Sequence, residues 1–320
     1  VAKFLVTGGA GFIGSNLVDA VVASGDAVRV VDDLSSGRRE NLTDHSSRID
    51  FLRGDIVDPG VVSRAVAGID YVLHHAALAS VPRSVADPRR NHEVNVNGTL
   101  SLLLAAREAE VKRFVFAASS AAYGESEVVP KTEEMEPAPV SPYAVSKLVG
   151  EHYCTQFSRM GWLPCVSLRY FNIFGPRQDP KSEYAAVVPI FIARMLDGEA
   201  PVIYGDGEQT RDFTYVENAV AANFLAIEKE RAVGGVFNIG CGESFTLKEL
   251  CRRLGEVIGT APKPVHAAPR PGDVRHSEAS IERARAGLDY EVRVGFAEGL
   301  RRTVEWFRLQ RAATGGSVSR

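Results

Sequence analysis

Two side chains able to handle a proton stand four residues apart in Tyr143-Ala144-Val145-Ser146-Lys147. On a helix that spacing is one face, so both can project into one pocket. A free phenol has a pKa of about 10, too high for a good base at neutral pH. A neighbouring ammonium favours the phenolate and brings it toward the working range. The pair by itself suits an amphipathic surface equally well. Upstream, the apolar run Phe114 to Ala117 leads into Ala118-Ser119-Ser120, where the Ser119 hydroxyl could share a substrate proton with Tyr143 or could simply terminate a strand. In an open α/β sheet that strand end lies at the crevice where ligands bind, which makes the three residues together a candidate catalytic site.

A second constellation opens the chain. Lys3 to Thr7 runs straight into Gly8-Gly9-Ala10-Gly11-Phe12-Ile13-Gly14, and a following apolar run ends in Asp32. A strand, a glycine-rich turn, a helix start and an acid about twenty residues on form the dinucleotide fingerprint. The spacing here is GxxGxxG, which still allows a tight turn and brings a helix N-terminus to a pyrophosphate. Asp32 can accept hydrogen bonds from ribose hydroxyls and repels a 2′-phosphate, and Asp33 adds charge beside it, so NAD is expected over NADP. Arg38 lies farther along the loop. Asp55 could meet an adenine amino group or cap the next helix. The small residues Ala76 and Ala77 allow a cofactor close approach, while His74 and His75 read as packed side chains.

These residues need a scaffold, and the pattern supplies one. Candidate strands are Lys3 to Thr7, Ala27 to Val31, Ile49 to Leu52, Tyr71 to His74, Phe114 to Ala117 and Pro164 to Leu168, with amphipathic stretches at Phe12 to Ser24 and Asn97 to Glu108. Strands apolar almost throughout are buried on both faces, and the alternation predicts an α/β fold with a doubly wound, Rossmann-type parallel sheet. After Tyr170 the chain is richer in Pro and Gly, with helical patterns at Ala186 to Leu196, Val216 to Glu228, Thr246 to Ile258 and Phe296 to Leu309. Residues 1–170 are expected to bind the dinucleotide, with segments near 208–240 returning to them. Residues 171–312 form a smaller α/β substrate domain, and 313–320 a flexible tail.

Composition narrows the class. With 320 residues, 45% hydrophobic and a net charge of −3, the chain is globular and carries no basic field for a nucleic acid. The Arg38-Arg39 pair reads as solvated. Cys154, Cys165, Cys241 and Cys251 show neither metal spacing nor a disulfide framework, so no metal is expected. No apolar run reaches membrane-spanning length, and a strand at the very start leaves no room for a leader. The expectation is a cytoplasmic protein.

The chain resembles the extended short-chain dehydrogenase/reductases, and among them the UDP-hexose 4-epimerases. The likeness rests on Thr7 to Gly14, Asn95-Val96-Asn97-Gly98-Thr99, Ser119 with Tyr123-Gly124, Ser141-Pro142-Tyr143 with Lys147, Arg169-Tyr170-Phe171-Asn172, Gly205-Asp206-Gly207 with Arg211-Asp212-Phe213, and Asn238-Ile239-Gly240. It implies a cycle in which Tyr143 removes the proton of the sugar 4-hydroxyl, Ser119 bonds O4, and Lys147 holds the nicotinamide ribose and tunes Tyr143. It also implies cofactor contacts at Gly8, Gly11, Phe12, Ile13, Gly14, Asp32, Asp33, Ser36, Gly37, Asp55, Ile56, Ala76, Ala77, Asn95 and Tyr170. Substrate contacts follow at Ser80, Ser119, Ser120, Asn172, Val187, Val188, Tyr204, Arg211, Arg270, Asp273 and Ser277. Arginines suit a diphosphate, although Arg211, flanked by Asp206 and Asp212, is also open to plain salt bridging. A homodimer through the helices around Asn97 to Glu108 and Ser146 to Met160 is implied too; their amphipathic pattern is equally explained by packing on the sheet.

The same resemblance addresses the reaction and the sugar. Related dehydratases and decarboxylases carry an acid just after the strand-five hydroxyl, whereas this chain has Ser120-Ala121-Ala122. Ser277 stands where a bulky Tyr confines such a pocket to plain hexoses, so UDP-GlcNAc and UDP-GalNAc are expected substrates, with UDP-Glc and UDP-Gal possible. Ala79 to Ser84, Gln178-Asp179-Pro180 and Tyr184-Ala185-Ala186 resemble the same branch. Arg83 and Arg177 keep a UDP-glucuronate 4-epimerase open as an alternative. A net nucleotide-sugar oxidoreductase and, more remotely, a non-catalytic NAD-binding scaffold also remain.

Overall fold

The apolar runs of the first half pair side by side into one parallel sheet. The computed structural model describes residues 1–180, 186–269 and 274–315. Its central strands are β1 (Lys3–Thr7), β2 (Ala27–Asp32), β3 (Ile49–Arg53), β4 (Tyr71–His74), β5 (Arg113–Ser119) and β6 (Cys165–Tyr170). A seventh strand, Val236–Ile239, pairs with β6, giving the order seventh–β6–β5–β4–β1–β2–β3. All these pairings are parallel. The order reverses between β1 and β4, which opens a crevice at their C-terminal ends. The expected doubly wound sheet is therefore present. The seventh strand escaped the periodicity because its apolar run is short and follows Gly234-Gly235.

Alternation along each strand decides which helix layer it feeds. Phe4 and Val6 of β1 pack with Leu17, Val18 and Val21 of α1 (Phe12–Ala23) and with Ala222 and Ala226 of the Val216–Glu228 helix. Leu5, between them, packs on the opposite face with Val61 and Val62 of α2 (Pro59–Val66), Leu102 of the Thr99–Glu108 helix and Phe157 of the Pro142–Arg159 helix. A third core joins the Val187–Leu196, Leu247–Ile258 and Phe296–Gly315 helices around Phe174, Phe213 and Phe296. The last helix continues past its expected end at Leu309 into the stretch read as a tail; Ala312 and Ala313 favour the helical state.

The stretch before Thr99 also differs from expectation. Glu93–Gly98 forms a π-helical turn ahead of the Thr99–Glu108 helix, and short helices at Val81–Ala86 and Pro88–His92 precede it. Gly98 suits the spot, since a Cβ there would lie 2.9 Å from Ile56 Cδ1.

Between β1 and α1 the backbone packs with no room for a side chain. A Cβ on Gly14 would lie 2.2 Å from the Gly8 carbonyl oxygen. Gly14→Ala is therefore expected to push α1 off β1 and to lower stability by about 1–3 kcal/mol, read as a fall in the urea midpoint. An unchanged midpoint would contradict this contact.

Candidate active site

Ser141 caps the helix that carries the proton-handling pair, its side chain accepting from Ala144 N at 3.2 Å, and Pro142 occupies the first turn. Tyr143 and Lys147 then fall one turn apart, as their spacing requires. The backbone of Tyr143 is held on both sides. Its N–H donates to Ser84 Oγ at 3.1 Å, and that hydroxyl donates in turn to Val81 O at 2.6 Å. Its carbonyl accepts from Ser146 Oγ at 2.8 Å, and Ser146 accepts from Asn95 Nδ2 at 3.0 Å. Asn95 is buried and also accepts from Leu78 N at 2.8 Å. Its amide thus links the exit of β4 to the Pro142–Arg159 helix, a placing role that its motif did not reveal. Ser84 was read only as the end of the Ala79 to Ser84 motif, because its partner lies 59 residues away.

Lys147 is buried beneath Tyr143, its Nζ donating to Ala117 O at 2.7 Å and lying 5.0 Å from the centre of the Phe116 ring. Burial brings its pKa down to about 8. Ser119 Oγ accepts from Ala121 N at 3.1 Å, capping the short Ser120–Tyr123 helix, and lies beside the Tyr143 phenol. Burial holds that phenol above its ordinary pKa, and Ser119 opposes the rise. Burial, and not the lowering expected from Lys147, sets the direction of this shift. What this arrangement offers is a phenol beside a serine at the C-terminal end of a sheet strand, with a buried amine one turn away.

The glycine loop forms a cradle beside the ends of β1 and β4. Gly8 has φ +68°, and a Cβ on it would meet Ala76 N at 2.8 Å, so Ala76 borders the loop as expected. Gly11 is the N-cap of α1 and no side chain caps the first turn of Phe12, Ile13 and Gly14, which leaves its amides for an anion. Asp32 is buried at the end of β2, where it accepts from Ala10 N at 2.9 Å and Leu34 N at 2.8 Å. Burial raises its pKa and these two amides oppose the shift. A carboxylate has lone pairs beyond two bonds, enough for ribose hydroxyls. Gly37 closes on it, since a Cβ there would be 2.8 Å from either carboxylate oxygen. Asp33 is engaged by Ser35, and Ser36 is exposed on the same loop. The cradle fits a dinucleotide.

Several expectations around the cradle need correction. Arg38 is not simply solvated; it pairs with Asp179, and Arg39 lies 3.7 Å over the Phe51 ring. Asp55 does not cap α2. Asp58 does, accepting from Gly60 N at 2.7 Å, while Asp55 accepts from Val57 N at 3.0 Å and pairs with Arg90. Ile56 is buried, Ala77 half-buried. His74 is packed as read, between Thr7 Oγ1 at 2.7 Å and Thr99 Oγ1 at 3.0 Å. His75 Nε2 meets Tyr170 OH at 3.0 Å, and Asn223 Nδ2 donates to that phenol at 2.6 Å. Burial lowers the His75 pKa to about 3, so its ring is neutral.

The expected substrate residues gather beyond the ends of β5, β6 and the seventh strand. Ser119 is in register with Tyr170, and Tyr170 with Ile239. Asn172 follows β6 and donates to Asp212 O at 3.3 Å. Arg211 is in register with Ser277 in a parallel pair. Its flanking acids are engaged elsewhere: Asp206 by Arg275 at 2.8 and 2.9 Å, Asp212 by backbone amides. Ser80 caps the Val81–Ala86 helix through Arg83 N at 3.2 Å, and Ser120 opens the turn after Ser119. Val187 begins its helix half-buried. Val188 is fully buried in the third core, so its side chain is a packing group and not a free lining residue. Tyr204 is half-buried at a strand end, its carbonyl accepting from Gln209 at 2.7 Å. Arg270, Asp273, Tyr184 and Ala185 lie outside the described residues. All four cysteines are free thiols. Among the described residues no cluster of His, Cys, Asp or Glu could hold a metal, and no helix is long and apolar enough to cross a membrane.

Known proteins share this arrangement. Residues 4–240 match the model of the NAD dependent epimerase/dehydratase family. A UDP-glucose 4-epimerase of Mycolicibacterium smegmatis is 41% identical over 96% of this chain and 98% of its own length. The solved UDP-N-acetylglucosamine 4-epimerase of Methanobrevibacter ruminantium, in complex with UDP-N-acetylmuramic acid, superposes with a TM-score of 0.92 at 41% identity, covering 97% of this chain and 99% of that one. The UDP-glucose 4-epimerase of Thermotoga maritima, solved with UDP-glucose, gives a TM-score of 0.92 at 44% identity over 96% of this chain and 99% of that one. With the glycine cradle, the Asp32 strand end and the Ser119–Tyr143–Lys147 group in place, the chain belongs to the NAD dependent epimerase/dehydratase family.

Proposed function

We propose that the protein is an NAD-dependent UDP-hexose 4-epimerase that interconverts UDP-GlcNAc and UDP-GalNAc and also accepts UDP-Glc and UDP-Gal. The observation that carries this reading is Ser119 at the end of β5 beside Tyr143 and Lys147 on the Pro142–Arg159 helix, next to a dinucleotide cradle, with no acid in the Ser120–Tyr123 turn. An acid there would be needed to expel water, so dehydration is disfavoured. Tyr143 takes the proton of the 4-hydroxyl while Ser119 holds O4, and Lys147 holds the nicotinamide ribose. Bound NAD⁺ supplies a reversible acceptor for the C4 hydride and a positive charge that favours the phenolate. The 4-keto sugar turns about its diphosphate before Tyr143 returns the proton. Asn95 places the catalytic helix through its bonds with Leu78 and Ser146, and its carbonyl oxygen keeps a lone pair for the cofactor.

Residues 1–170, with 208–240, form the cofactor half in this reading, and 171–312 hold the UDP-sugar, with Arg211 and Asn172 at the diphosphate end and Ser277 beside the sugar. The small Ser277 supports the acetamido substrates. UDP-glucuronate ranks lower, because Arg177 is ion-paired with Asp19 of α1 at 2.6 Å. Exposed Leu104, Met160 and Trp162 on or just after the Thr99–Glu108 and Pro142–Arg159 helices support a homodimer through that face. Four free thiols fit the cytoplasm.

Proton NMR of the anomeric region tests the reading on UDP-GlcNAc and UDP-Glc without added NAD. Both are expected to yield their C4 epimers. Ser277→Tyr is expected to lower the preference for the acetamido sugar by about tenfold, and Tyr143→Phe to lower kcat by about 10²–10⁴-fold. Neither epimer forming, even with NAD supplied, would contradict the proposal.

Lys147 has a signature in the protein without ligands. Its amine has a folded pKa of about 8 against 10.5 in the open chain. The unfolded state therefore binds more protons between those values, and this group's contribution to stability rises with pH. Relative to Lys147→Met, the wild type is expected to gain on the order of 2 kcal/mol between pH 7.5 and 9.5 in urea unfolding. A constant difference would show that the buried amine titrates normally.

A further inference from the structure

Asp212 is an acid that the chemistry above does not use, yet it is fully buried. Four donors meet its carboxylate. Oδ1 accepts from Cys241 N at 2.8 Å and Thr214 Oγ1 at 3.1 Å; Oδ2 accepts from Gly242 N at 3.1 Å and Ala279 N at 3.2 Å. Its backbone is tied as well, the N–H donating to Ser277 O at 2.8 Å and the carbonyl accepting from Asn172 Nδ2 at 3.3 Å. One residue thus joins the segment after β6, the Thr210–Arg211 strand, the exit of the seventh strand and the segment around Ser277.

The space around the carboxylate is closed. A Cβ on Gly240 would lie 2.6 Å from Asp212 Oδ2 and 2.6 Å from Ala279 Cβ. Tyr290 OH holds this bend in place by donating to Gly240 O at 2.9 Å. Only an acceptor on both oxygens satisfies the four donors; an amide would turn N–H groups toward N–H groups. Burial pushes the carboxyl up to about 6 while the amides and Thr214 resist it.

The segments that converge here are those that carry Asn172, Arg211 and Ser277. We propose that Asp212 is the positioning residue of the substrate half: its carboxylate sets the spacing of these three residues and so governs how tightly the nucleotide diphosphate is held. This rests on the UDP-sugar reading above and names the element that organises that site. Asp212 touches no reacting atom, so its loss acts on substrate affinity more than on turnover.

The test measures UDP binding by calorimetry and epimerase kinetics on the NAD-loaded protein, with retained NAD reporting an intact fold. Asp212→Asn is expected to weaken UDP and raise KM about tenfold, with kcat falling less than about threefold. Thr214→Val keeps the carboxylate and removes one of its donors; a weakening of about threefold is expected. That variant decides the matter if Asp212→Asn does not fold. Wild-type affinity for UDP in both variants, or a fall in kcat at unchanged KM, overturns the inference while leaving the substrate reading standing. A wild-type protein with no affinity for UDP removes both.

Discussion

The rest of the structure depends on a backbone contact that only glycine allows. With 2.2 Å between the place of a Gly14 Cβ and the Gly8 carbonyl oxygen, α1 lies directly on the end of β1. That contact aims the uncapped first turn of α1 into the crevice where the strand order reverses. Gly8, at positive φ, brings the loop against Ala76 on the other side of the reversal. The cradle, the Asp32 strand end and the β4 exit acquire their relative positions from this contact, and an alanine would loosen them together.

Tyr143 and Lys147 are placed by a second device, polar bonds to the backbone of their helix. Ser84 holds the Tyr143 amide and Ser146 its carbonyl, with Asn95 behind. The buried Arg169–Glu151 pair, with bonds of 2.8 and 2.7 Å, ties the same helix to β6. Breaking such a pair on one side leaves an uncompensated charge and costs about 3–5 kcal/mol. A phenol proposed to meet a sugar hydroxyl within hydrogen-bond reach needs its helix fixed in this way.

Local signals were legible in the sequence, and long-range ones were not. The glycine loop, Asp32, the tyrosine and lysine one turn apart and β1 to β6 are written in spacings of a few residues. The resemblance supplied the candidate substrate residues; of these, Asn172 bonds Asp212 and Arg211 is in register with Ser277. Asp212, in contrast, read only as a flanking charge for Arg211, because its partners lie 29, 30 and 67 residues away. Asp55 misread as a possible cap shows the same limit: an Asp near a helix start is ambiguous until Asp58 is seen to bond Gly60. The direction of the Tyr143 shift is set by burial, which no spacing carries.

In the proposed cycle the C4 hydrogen of the sugar would leave and return to the same molecule without exchanging with solvent. The direct measurement is turnover of UDP-hexose deuterated at C4 in ordinary water, with mass spectrometry of the epimer and absorbance at the reduced-nicotinamide band. The epimer is expected to keep its deuterium, with no reduced cofactor accumulating beyond the enzyme concentration. Loss of the label to water, or reduced cofactor rising in step with a 4-keto product, would contradict it.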